Sequence, residues 1–238
     1  LASAAVRLDT TATPRAVLAA SVLLLVPGVP LINSAEDLIK GHMVTGIVRG
    51  FTGLLYSFAI ALGLLLAIQI TGVPITAFQV ARGIPPAPLE DAVWSAVAST
   101  GFALLFNVPV RTVIGCAFLG AVGHGLRTLL VGGGMGLEGA TLVGATLVGF
   151  IGAAFARYWN TPSSVYTFSG AIPMVPGVLA FQAMIGLLRV AAAEPGVASA
   201  VAFSDVGIYV IKTSLILGAI AVGIAAPSLL VVRQKPVV

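Results

Sequence analysis

Long apolar runs alternate with short polar or proline-rich breaks along the chain, and seven of the runs approach membrane length. A helix needs ~20 mostly apolar residues to cross the hydrocarbon core of a bilayer. The runs are 16–33, 50–72, 92–110, 112–131, 139–156, 165–188 and 206–232. Run 50–72 carries no charge and is the cleanest. The fourth holds His124 and Arg127, and the seventh holds Lys212. The pattern predicts an all-α polytopic membrane protein of about seven membrane segments.

Two runs are interrupted. Pro27-Gly28 and Pro30 cut the first, and Pro173 and Pro176-Gly177 cut the sixth. Proline removes a backbone donor and crowds the preceding helical turn, while glycine adds backbone freedom. The interruptions are near-copies: Leu25-Val26-Pro27-Gly28-Val29 recurs as Met174-Val175-Pro176-Gly177-Val178. Each follows a Thr-Pro pair, Thr13-Pro14 in one case and Thr161-Pro162 in the other. A small-residue run ending in arginine, at Arg7 and at Arg157, precedes each pair. If all seven segments cross, the broken ones run in opposite directions, and the expectation is an inverted repeat.

Between the runs, residues 34–41 read as a short amphipathic piece. Ser34 and Asp37 stand at capping-box spacing, with Asp in place of Glu. Residues 73–90 contain Gly83-Ile84-Pro85-Pro86-Ala87-Pro88 and read as a linker. Glu90 and Asp91 then suit the N-terminal end of a helix dipole. The fifth run repeats Gly139-Ala140-Thr141-Leu142-Val143 as Gly144-Ala145-Thr146-Leu147-Val148, which spaces small residues for close helix packing in lipid.

Composition agrees with a membrane protein. Hydrophobic residues make up 58% of the chain and charged residues 8%. A soluble domain carries about a quarter charged residues. The formal net charge of +4 comes from lysines and arginines scattered singly, so no nucleic-acid surface is expected. They divide almost evenly between the two sides and set no orientation. Cys116 is alone, so neither an internal disulfide nor a cysteine metal site is expected. Gly132-Gly133-Gly134-Met135-Gly136 lacks the ending of a phosphate loop, and neither a zinc-binding helix motif nor a serine elbow appears. The chain is expected to be no enzyme and to use no cofactor.

Chemistry is expected at the breaks. Irregular backbone at membrane depth is tolerated where protein buries it or where it lines a cavity. A half-helix N-terminus suits a carboxylate, and a half-helix C-terminus suits a cation. The candidate substrate-binding residues are Pro27, Gly28, Pro30, Asn33 and Asp37 at the first break, and Pro176, Gly177 and Gln182 at the second. Tyr166, Thr167 and Ser169 flank the second. His42, Arg49, Asp205 and Lys212 are candidates for ion coupling; Asp205, Tyr209 and Lys212 share a helix face. His124 is a further candidate proton carrier, and Arg127 reads as marking a membrane edge.

The sequence Pro27-Gly28-Val29-Pro30-Leu31-Ile32-Asn33, followed by Asp37-Leu38, Gly41-His42, Gly46 and Arg49-Gly50, resembles the bacterial threonine/serine exporter family. Ile172-Pro173-Met174-Val175-Pro176-Gly177 looks like that family's second signature. The resemblance covers essentially the whole chain. Residues 1–72 look like the C-terminal part of the first membrane domain, and 91–238 like the second. Full-length members carry earlier spans and a soluble N-terminal region, and Ala2-Ser3-Ala4-Ala5-Val6-Arg7 reads as the tail of an earlier helix. The resemblance implies a multi-pass protein of the bacterial inner membrane that exports L-threonine and L-serine, with protons as the coupling ion. A homo-oligomer stays open. Relatives split into two subunits are associated with dicarboxylate export, so a dicarboxylate exporter and a non-transporting partner subunit are the alternatives.

Overall fold

The computed structural model describes residues 27–72, 87–192 and 200–230. Every regular element among them is helical. They are α1 (Gly28–Ile39), α2 (Met43–Thr71), α3 (Pro88–Leu105), α4 (Val110–Gly132), α5 (Leu137–Trp159), α6 (Ser163–Ala171), a 3-10 turn (Ile172–Met174), α7 (Gly177–Ala192) and α8 (Ala200–Leu230). Among the described residues, four stretches are long and apolar enough to cross a membrane: Met43–Gly63, Val110–Gly132, Leu137–Trp159 and Phe203–Leu230. The broken pair α6–α7 adds a fifth if it counts as one span. The multi-span helical reading therefore holds in this coarser form. Run 16–33 lies mostly outside the described residues. The third run became α3, whose first turn carries Glu90 and Asp91, and it is not among the spans.

The start of the described chain corrects one expectation. Residues 34–41 are not a separate capped piece. Helix α1 already begins at Gly28, just after Pro27. Pro30 falls in its first turn, where an N–H has no helical partner to lose. Ser34 is therefore mid-helix, and its Oγ donates to the Gly46 carbonyl at 2.7 Å. Gly41, at φ +83°, closes α1. The bonds Gly41 N–H to Leu38 C=O and His42 N–H to Asp37 C=O make a Schellman ending. Arg49, expected before its apolar run, lies inside α2 because that helix starts at Met43.

The chain divides into two compact units, one of residues 1–28, 51–83 and 176–214, the other of 29–50, 84–175 and 215–238. In the first unit Phe181 and Ile185 are buried, and Gly186 of α7 lies against Val206 of α8. In the second, small residues bring helices close. A Cβ added at Gly46 or Gly50 would meet Leu38 or Ser34 of α1 at 2.7 Å. Ser95, Ser99 and Ala103 form a buried stripe on α3, and Gly120 of α4 packs on its serines. Gly144 of α5 faces the Gly123 carbonyl of α4, and Gly149 faces the Gly223 carbonyl of α8. Leu119, Val148, Tyr166 and Met174 fill the core between these contacts.

The outward faces stay apolar. On α2, Val44, Ile47, Phe51, Leu55, Phe58, Leu62, Leu66 and Ile70 are exposed, as are Val110 and Ile114 on α4. So continuous an apolar surface suits lipid rather than water.

Candidate functional site

Helix α6 gives way at Ile172. The chain makes a 3-10 turn, Val175 turns extended (φ −59°, ψ 129°), and helix resumes at Gly177. Pro173 and Pro176 have no N–H, so neither can bond back to the preceding turn. The Val175 N–H bonds the Ile172 carbonyl at 2.9 Å, and the Ala180 N–H bonds the Pro176 carbonyl at 2.9 Å. The carbonyls between them need other partners.

Two basic residues of α4 face those carbonyls. Arg127 Nη1 donates to the Met174 carbonyl at 3.0 Å. The His124 ring lies beside the Pro173 carbonyl. His124 Nδ1 is 2.5 Å from Asp91 Oδ2, with side-chain exposures of 12% and 13%. Against a carboxylate acceptor, Nδ1 carries the hydrogen. Thr128 Oγ1 donates to the same carboxylate oxygen.

The arrangement follows from helical geometry. His124 and Thr128 are four residues apart and Arg127 lies between, so all three share one face of α4. Asp91 sits in the first turn of α3, and α3 packs against α4 along its serine stripe. One carboxylate thus ties α3 to α4, and α4 in turn holds the two carbonyls after α6. An ionisable cluster at membrane depth is expensive unless its members pair, and such clusters commonly mark ion or substrate pathways. This one pairs His124 with Asp91 and ties Arg127 to the Met174 carbonyl.

The other expected site residues lie on or beside α1, α2, α7 and α8. Pro27 and Gly28 are buried where α1 begins; the segment before them lies outside the described residues. Asn33 is half-buried, and its Oδ1 is sealed from solvent with no partner. Asp37 and Arg49 are brought together at 2.6 Å across α1 and α2, with side-chain exposures of 17% and 48%. Pro176 precedes α7, Gly177 opens it and Gln182 is half-buried along it. His42 is exposed in the turn between α1 and α2, and Asp205 and Lys212 are exposed on α8. No ion pair joins Asp205 and Lys212 among the described residues.

Sequence reasoning missed Asp91, Arg127 and Thr128 as a group. It read Asp91 as a dipole-compensating acid and Arg127 as an edge marker. The available signal was the polar stripe His124-x-x-Arg127-Thr128 within an otherwise apolar run. A second signal was the lone Glu90-Asp91 pair after the linker.

Comparison with known families gives two matches. The family model described as "Threonine/Serine exporter, ThrE" matches residues 91–230. That described as "Putative threonine/serine exporter" matches residues 1–71. No solved structure matches the chain.

Proposed function

The chain belongs to the threonine/serine exporter family, and from that premise we propose that it exports L-threonine and L-serine across the bacterial inner membrane, driven by the proton motive force. The observation that carries the reading is the family match over residues 91–230, more than half of the chain. Membership makes the protein a multi-span membrane exporter; its own substrates and driving ion are the proposal.

The substrate path runs past the two breaks, where half-helix ends offer unpaired backbone groups to a carboxylate and an ammonium. The candidate substrate contacts are Pro27, Gly28, Pro30, Asn33 and Asp37 at the first break and Pro176, Gly177 and Gln182 at the second. Movement of one inverted repeat against the other alternates access. His124 with Asp91 carries the coupling proton. It suits that role better than His42, Asp205 or Lys212, which are exposed, or Arg49, which is engaged with Asp37. When His124 changes protonation, the grip of α4 on the Pro173 and Met174 carbonyls changes with it.

Reconstitution of the full gene product in proteoliposomes with an imposed proton gradient tests this. Labelled threonine, serine and succinate are followed side by side. Gradient-dependent movement of threonine and serine, with succinate excluded, is the expected result. Succinate movement would keep the exporter and replace its substrate. No movement of any of the three would leave the partner-subunit alternative standing.

A further inference from the structure

A cavity of about 700 Å³ opens in the second unit at the corner between α5 and α6. Its walls carry both signs of charge, with Arg157 from the last turn of α5 and Glu36 and Lys40 from α1. Asn160, Thr161, Ser163 and Ser164 add polar groups, while Phe150, Ile224 and Pro227 supply apolar wall. None of these residues belongs to the break or to the Asp91 cluster.

The lining groups offer both charges that a small zwitterion carries. Arg157 has no ion-pair partner among the described residues. Pro162 stands at the N-cap of α6 and provides no side-chain cap, and Ser163 and Ser164 of that first turn line the cavity. Glu36, also in the lining, already holds a primary ammonium, that of Lys40 one helical turn away. Such i,i+4 pairs on a helix surface are held weakly, so a second ammonium can replace the first.

We propose that this cavity is an outer binding site for a zwitterionic α-amino acid, with the carboxylate on Arg157 and the N-terminus of α6, and the ammonium on Glu36. The inference rests on the export reading and deepens it by giving the substrate a waiting position. Helix α6 is nine residues long, so at ~1.5 Å per residue the cavity lies ~13 Å along that helix from its other end. The same helix therefore starts at the cavity and finishes at the carbonyls that His124 and Arg127 face. The cavity is several times larger than one threonine, which fits a solvated vestibule. Glu36 disfavours a second carboxylate, so the site discriminates against dicarboxylates.

The test pairs direct binding with transport, both on the full chain. Labelled threonine is titrated onto detergent-solubilised protein by scintillation proximity. KM and maximal rate are measured in vesicles of phosphatidylcholine and phosphatidylglycerol. Arg157→Gln is expected to weaken binding and raise KM by about tenfold, one lost charge-assisted hydrogen bond, with the maximal rate little changed. Arg157→Lys should recover part of the loss, which separates a binding role from a folding one. Glu36→Gln should weaken threonine but spare 3-hydroxybutyrate, which lacks the ammonium. Wild-type binding and KM in both Arg157→Gln and Glu36→Gln would overturn the proposal while leaving export intact. Arg157-dependent binding without transport would keep the site and remove the export reading. A wild-type chain that neither binds nor moves threonine overturns both. A phosphatidylethanolamine headgroup offers the same ammonium–anion pair. A KM unchanged by adding that lipid assigns the cavity to the free amino acid. A KM that climbs with its content assigns the cavity to the headgroup, against the proposal.

Discussion

Asp91 has one carboxylate oxygen shared between His124 and Thr128, and that oxygen links two helices. Asp91→Asn keeps the shape and removes the charge, so His124 loses the acceptor that orients its ring. Breaking a buried pair of this kind costs about 1–3 kcal/mol. The expected result is a lower thermal unfolding midpoint in detergent. Gradient-driven export should fall further than threonine counterflow, which needs no proton movement. Equal loss of both would remove His124 and Asp91 from coupling and leave them a structural role. The Asp37–Arg49 pair is a useful contrast. It is half-exposed and worth about 0–1 kcal/mol, so Arg49→Gln should leave the unfolding midpoint almost unchanged. These two pairs look alike as sequence, an acid and a base in separate segments. Burial separates them, and burial is a property of packing.

Among helices, the close contacts are made by backbone meeting backbone. A Cβ at Gly144 would lie 2.6 Å from the Gly123 carbonyl, a distance no side chain tolerates. Gly144→Val should therefore force α4 and α5 apart and cost about 1–3 kcal/mol or more. Gly101, on α3, has nothing within 4 Å of its added Cβ. Gly101→Ala should be neutral or stabilising by about 0.5–1 kcal/mol, since alanine loses less backbone entropy in a helix. Comparing unfolding midpoints of the two variants checks the α4–α5 interface. The non-helical step after α6 has its own test. Pro176→Ala restores an N–H that can reach toward the Ile172 carbonyl, and a straighter helix should lower transport without lowering membrane insertion. Unchanged transport in both Pro176→Ala and Pro27→Ala would rule out a substrate path at the breaks. Helix ends are local chemistry, and left-handed Gly41, Asn107, Gly134 and Asn160 each close a helix. The apolar pattern nevertheless carried the third run through Asn107 to 110 and stopped the fifth at 156, because hydropathy alone does not register a left-handed residue. The capping expectation at Ser34 failed because a helix that begins at Gly28 passes through it.

For the molecule as a whole, family membership and the exposed apolar faces agree on a membrane exporter. A carrier coupled to protons should lose net threonine export when a protonophore collapses the gradient, yet continue to exchange internal for external threonine. A channel would lose neither and would show flux without saturation. The direction of net movement should follow the imposed gradient when that is reversed.

The amino-acid sequence alone determined the membrane class, the approximate course of most helices and the kinship with threonine/serine exporters. Hydropathy, proline's missing donor and signature spacing are read along the chain, so no partner has to be found for them. Tertiary structure decided which polar residues matter together. His124 meets Asp91 across 33 positions and Arg127 meets the Met174 carbonyl across 47. Glu36 and Arg157 share a cavity although they lie on α1 and α5. Each meeting depends on how a helix is rotated about its axis and on which neighbour its small residues admit. Those quantities are set by packing between distant segments, and no local pattern in an apolar run encodes them.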